Sequence, residues 1–154
     1  MRPGGFAPAG EDVLLAGWPT RAIGAIADGV VIGLATYLVA LASGMRPPTV
    51  VGRLNGYLYL DLAVGFLYSF AMLSRWGRTL GQAMMRIYTV DELQGRTPIG
   101  PSRAAVRSLV AGILTVVPLA AFVDLLWPLW DRRNQTLHDK AAGTVVLRQA
   151  LPAL

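Results

Sequence analysis

The sequence predicts an all-α membrane protein: two transmembrane helices, a third apolar segment broken by proline, and a short β-hairpin-like loop on the cytoplasmic side. Three observations lead there. Apolar stretches run from Ala22 to Ser43, Leu54 to Ser74 and Ser108 to Trp130, and each holds one aspartate (Asp28, Asp61, Asp124) and no other charge. About 20 apolar residues are enough for a helix to cross the hydrocarbon core of a bilayer. Only 15% of the 154 residues are charged, against roughly a quarter in soluble domains. The basic residues flank the apolar stretches, as they do in membrane proteins oriented by cytoplasmic Lys and Arg.

The elements follow in chain order. Residues 1–17, rich in Gly, Pro and Ala, read as a disordered tail. Residues 18–148 form the membrane domain, and 149–154 a C-terminal tail. Trp18 suits the interface, Thr20 is a candidate N-cap, and Arg21 opens the first helix. Ala40-Leu41-Ala42 mimics a signal cleavage site, but the apolar run exceeds a signal core and carries Asp28, so a retained helix is expected. Met45-Arg46-Pro47-Pro48 ends it, because proline cannot continue the backbone bonding. The second helix runs from near Leu54 to Arg75-Trp76-Gly77-Arg78, with Tyr57, Tyr59 and Trp76 as interfacial anchors. Residues 77–107 are polar and irregular, with Ile87 to Val90 as a strand, a turn over Asp91 to Arg96, and Thr97 to Ile99 returning to close a hairpin.

Loop charge orients the chain. The first loop carries Arg46 and Arg53, whereas the second carries Arg75, Arg78, Arg86, Arg96, Arg103 and Arg107. The second loop and the N-terminus are therefore expected in the cytoplasm, in a multi-pass cell-membrane protein. The path of residues 108–130 stays open. A single span leaves the basic tail (Arg132, Arg133, Lys140, Arg148) outside. A bend at Pro118 keeps both ends inside, with halves of about 15–18 Å that make a re-entrant hairpin. The Gly143 to Leu147 strand favours the hairpin, since its natural partner lies in 87–99.

Acids in membrane segments are the first candidates for function, because inserting one costs roughly 2.5–3.5 kcal/mol. Asp28, Asp61 and Asp124 are candidate ion- or proton-binding residues, with Arg21 tuning Asp28 from about 10 Å along the same helix face. Tyr57, four residues before Asp61, could bring its phenol near that carboxylate. Ala25, Gly29 and Gly33 form a small-residue stripe of the kind that lets helices pack closely. A structural role is expected for His138 and Asp139, since no nucleophile accompanies them. The absence of cysteine from the sequence excludes disulfides, thiol catalysis and Cys-based metal sites. With one histidine, no metal or cofactor is expected, and no enzymatic activity. The net charge of +5 lacks the aromatic-interleaved patch of single-strand binders, so nucleic acid is not an expected partner.

Arg21 opening the first helix, Asp28 within it, Gly77, Thr79 and Gly81 in a G-x-T-x-G turn, and Leu137-His138-Asp139 leading to Gly143-Thr144-Val145-Val146 together resemble the RDD family of small integral membrane proteins. The likeness spans about Trp18 to Leu147. It implies that Arg21, Asp28 and Asp139 are the arginine and two aspartates of the family name. Gln82 stands where many members have lysine. The resemblance implies a polytopic membrane protein, with cation/proton exchange one suggested role and an accessory place in a larger assembly another. At this length a conventional two-repeat transporter does not fit, so a transport role is expected to involve a homo-oligomer or a larger complex within the lipid bilayer.

Overall fold

A computed structural model describes residues 14–45 and 56–149. The elements are β1 (Leu14–Leu15), α1 (Trp18–Ala42), α2 (Gly56–Trp76), α3 (Leu80–Met84), β2 (Ile87–Asp91), α4 (Gly100–Val116), α5 (Pro118–Leu126), a 3-10 turn (Trp127–Leu129), α6 (Leu137–Ala142) and β3 (Thr144–Arg148). Residues 1–13, the Arg46 and Arg53 loop with Leu54, and residues 150–154 lie outside the described residues.

α1 starts from an extended Gly17, with Pro19 in its first turn where a missing N–H costs nothing. Its 25 residues rise about 37 Å, and the 21 of α2 about 31 Å, so each is long enough to span. The pair is antiparallel. Tyr68 bonds Asp28, Thr36 bonds Asp61, and between them a Cβ added at Gly65 would lie 3.6 Å from Ile32. Within the chain only 11% and 6% of their apolar windows are buried, unlike the mostly buried core helix of a soluble fold. Ile26, Val30, Leu34 and Leu67 stay more than half exposed, an apolar surface of the kind that lipid or a partner helix covers.

α4 runs antiparallel to α2, with Leu73 packed against Ile99 and Ala104 at one end and Gly112 near Leu62 further along. Val117 then adopts an extended conformation, as the residue before a proline is driven to do, and α5 turns back. Leu125 at its end accepts a bond from the Trp18 indole at the start of α1. Both ends of 100–130 thus return to the end of the bundle where α1 begins and α2 finishes.

That end is closed by a three-stranded antiparallel sheet in the order β1-β3-β2, with Thr89 opposite Val146 and Leu15 opposite Leu147. One face packs Ala16, Ile87 and Val146, the other Val90, Val145 and Leu147. Alternating side chains of the central strand thus fill both faces. Arg103 fastens α4 to this cap through Asp91 at 2.8 Å and the carbonyls of Ala142 and Gly143.

Several expectations are corrected. Residues 14–17 are not tail: they supply β1 and bury Ala16 completely. Thr20 is not the N-cap but lies inside the first turn, its hydroxyl bonded to the Gly17 carbonyl. The 77–107 segment is not irregular, since it contains α3 and the start of α4. No 87–99 hairpin forms. β2 pairs with β3, and Thr97-Pro98 enters α4 by a cis bond instead of returning as a strand. The third apolar segment is α4 and α5 with a break at Val117–Pro118, and its first helix begins eight residues before the apolar stretch, at Gly100.

Candidate functional site

Three polar clusters lie within or beside the bundle. The first centres on Asp139, whose side chain is fully buried. Thr136 caps α6, accepting from the Asp139 N–H while Asp139 accepts from the Thr136 N–H. This box fixes the carboxylate between two helices. Arg107 of α4 donates through Nε at 2.8 Å and Nη2 at 2.7 Å, and Arg21 of α1 pairs with the other oxygen. Burial alone would raise the Asp139 carboxyl. Arg107 first, then Arg21 and His138, outweigh it and hold the group far below the usual carboxylate range. His138 turns the other way, its ring 2.7 Å and its backbone N–H 3.1 Å from Asp124 on α5. Gly143 ends the helix in a left-handed conformation with φ 59°, and any Cβ there would lie 2.7 Å from Arg103. Thr144 is buried beside it and donates back to the Asp139 carbonyl.

The second cluster is built on Asp28. One oxygen accepts from Tyr68 at 2.6 Å and the Gly81 N–H at 2.8 Å, and the other from Thr79 at 2.6 Å. The Thr79 hydroxyl also accepts from the Gln82 N–H, and the Gln82 side chain accepts from the Thr79 N–H and from Thr89. Gly77 (φ 67°) sets the turn. Gly81 lies so close to α1 that a Cβ would fall 2.0 Å from the Gly24 carbonyl. The G-x-T-x-G turn is therefore a docking surface of α3 for Asp28. Gln82, buried and bonded, closes the capping box.

The third cluster is a cavity of about 510 Å³ between α1, α2, α4 and α5. Arg21, Arg107, Asp124 and His138 line its sheet end, Asp28 lies further along α1, and Asp61 with its Thr36 bond marks the far side. Ala25, Gly29 and Gly33 line it as well, and a Cβ added at either glycine meets nothing within 4 Å. Within this chain the stripe opens space instead of filling it. Among the described residues Asp28 and Asp61 have no ion-pair partner, whereas Asp139 pairs with two arginines and Asp124 is hydrogen-bonded to His138. Also among the described residues, Arg21 Nε, Arg21 Nη1 and Ser108 Oγ are buried without a hydrogen-bond partner.

The structure thus separates Arg21 from Asp28 and joins it to Asp139. Sequence reasoning missed Arg107, Tyr68, Thr36, Thr136 and Ser108. The S/T-x-x-D spacing of Thr136 and Asp139 was a readable capping signal. The Asp61 bond comes from Thr36 on the facing helix, not from the nearer-in-sequence Tyr57.

Two long, mostly uncovered apolar helices and acids turned inward define a small helical membrane protein. Residues 15–143 match the RDD family, and the chain belongs to it. It is similar to a proline-rich antigen homolog of Mycobacterium tuberculosis, 32% identical over 101 residues, covering 64% of this chain and 40% of the relative. The proline-rich antigen of Mycobacterium leprae is 32% identical over 103 residues, covering 65% of this chain and 39% of the relative. The chain therefore spans about two fifths of the curated relatives it matches. No solved structure matches it.

Proposed function

We propose that this protein handles ions in the cytoplasmic membrane, exchanging a monovalent cation for protons through the cavity of the bundle. The observation that carries this reading is the pair of carboxylates, Asp28 and Asp61, that line one cavity without a cationic partner among the described residues. A carboxylate with no counter-charge beside it in a medium of low polarity is suited to attract a cation. The two differ in what they offer. Asp28 is committed to three protein donors, so we assign it the positioning of α3. Asp61 accepts one bond and is the residue proposed to exchange ion and proton. Arg21, ion-paired with Asp139, and Asp124, hydrogen-bonded to His138, support the walls.

The sheet end carries Arg75, Arg78, Arg86, Arg96 and Arg103, and by the positive-inside rule it is assigned to the cytoplasm with the N-terminus. α4 and α5 are then a re-entrant hairpin. The protein is proposed to act as a homo-oligomer, without catalytic chemistry. Proton flux in sealed proteoliposomes pulsed with sodium, potassium or lithium tests the proposal. Flux present in the wild type and lost in Asp61→Asn is expected; no flux from folded, oriented protein overturns it.

A second reading, an accessory subunit of a larger membrane complex, draws on the unfilled stripe at Gly29 and Gly33. A partner helix seated there would be lost from co-purification when either glycine is enlarged to leucine.

A further inference from the structure

We infer that the sheet end of the cavity binds a phosphoryl oxyanion, held by the free edge of Arg21 and the hydroxyl of Ser108. The Arg21 side chain is 91% buried by its 9% exposure, and its Nη2 is spent on Asp139. That leaves the Nε–H and both Nη1–H donors with no acceptor among the described residues, next to a cavity that Arg21 and Ser108 both line. A guanidinium does not shed its proton to escape this situation. Unmet donors on a buried charge are costly, so they gather acceptor oxygens.

The unpartnered donors and the local pairing at Arg21 select an anion over a neutral acceptor. Arg21 and Arg107 share one carboxylate, Asp139, so that ion cluster carries one surplus positive charge. Three further acids line the cavity: Asp124 against the His138 ring and backbone, Asp28 against Tyr68, Thr79 and the Gly81 N–H, and Asp61 against Thr36 on the far side. The surplus is thus local to the Arg21 edge. Arg21 also lies in the first turns of α1, whose N-terminus has no side-chain cap and no acid in its first turn. That end of the helix carries partial positive charge from its aligned peptides. Unpartnered donors at Nε, Nη1 and a hydroxyl on one cavity wall suit an acceptor with several oxygens on one centre, which a phosphoryl group supplies. Trp18, on the cavity wall and at the start of a membrane helix, places this mouth at headgroup depth. A phospholipid headgroup and free phosphate share the chemistry, and the site is independent of whether the protein moves ions.

The test uses the full chain, delipidated in a neutral sugar detergent. One arm titrates inorganic phosphate and follows thermal stability and heat of binding. The other offers phosphatidylglycerol in mixed micelles and counts retained lipid by native mass spectrometry. Saturable binding in either arm is expected, weakened at least five-fold by Ser108→Ala, which leaves the Arg21–Asp139 pair intact. Arg21→Lys keeps the charge and the pair with Asp139 but removes the fork, and should lose the binding while the protein stays folded. A response in the phosphate arm identifies a soluble anion, and a response only to phosphatidylglycerol a lipid. No saturable binding in either arm, or binding unchanged in both variants, overturns the inference and leaves the donors to water.

Discussion

At the scale of single residues, Asp139 holds the most consequential position, because one carboxylate neutralises guanidinium groups from two different helices. Replacing it by asparagine leaves Arg21 and Arg107 buried without a counter-charge, a loss of roughly 3–5 kcal/mol. The pH dependence has a definite sign. A carboxyl whose native value is depressed contributes stability that is fully present above its unfolded value, near 4. That contribution falls away as pH drops toward the native value. The stability gap between wild type and Asp139→Asn, measured by thermal unfolding in detergent, should stay level from pH 8 to 5 and shrink below about pH 4. Gly81 makes a second residue-scale prediction. With a Cβ due 2.0 Å from the Gly24 carbonyl, Gly81→Ala cannot keep α3 on α1. It should release Thr79 and the Gly81 N–H from Asp28, seen as rapid amide exchange in residues 79–82. Gly112→Ala, with its nearest neighbour at 4.0 Å, should leave that exchange unchanged.

At the scale of elements, the break between α4 and α5 decides the architecture. Val117 cannot remain comfortably helical before Pro118, and Pro118 cannot bond to the turn before it, so the chain turns back instead of continuing across. Both flanks of the segment then lie at the sheet end of the bundle. Because the chain has no native cysteine, Ser102→Cys and Arg132→Cys can each be labelled alone in sealed, oriented vesicles. Both should react with an impermeant maleimide from the same side, and labelling from opposite sides would mean a single span. The two long helices were legible from length and composition, since a run of apolar residues is a local property. A bend at Pro118 was one of two paths that the sequence left open, because a proline marks a break without saying whether the chain turns back. The sheet was legible only in part: Val145 and Val146 announce a strand, but the pairing of β3 with β1 and β2 joins residues far apart in sequence. Leu14 and Leu15, adjoining a Gly- and Pro-rich run, gave no periodic signal. Arg107 was hidden in the same way. It looked like one loop charge among six, and only the fold brings it to Asp139.

At the scale of the whole molecule, the bundle is held open on the inside while lipid closes it on the outside. The small residues of α1 face the cavity, and large ones such as Ile26 and Val30 face outward. A membrane protein gains little from burying apolar surface between helices, because the acyl chains are equally apolar. Packing contact and satisfied polar groups must hold this one together. The bonds of Asp28 and Asp61 to facing elements, and the Asp139 node at the sheet end, supply polar ties at three depths. An internal void forfeits dispersion contacts along its walls, and this one lies beside two acids that have no ion-pair partner among the described residues. Gly33→Leu separates the alternatives. Nothing lies within 4 Å of a Cβ there, so the larger side chain enters the cavity without striking backbone. If the void serves ion passage, the variant should fold with unchanged or raised thermal stability and lose at least ten-fold of its cation-driven proton flux. Flux that survives in a folded Gly33→Leu protein would place the pathway elsewhere, and a variant that unfolds would show that the stripe is a packing surface after all.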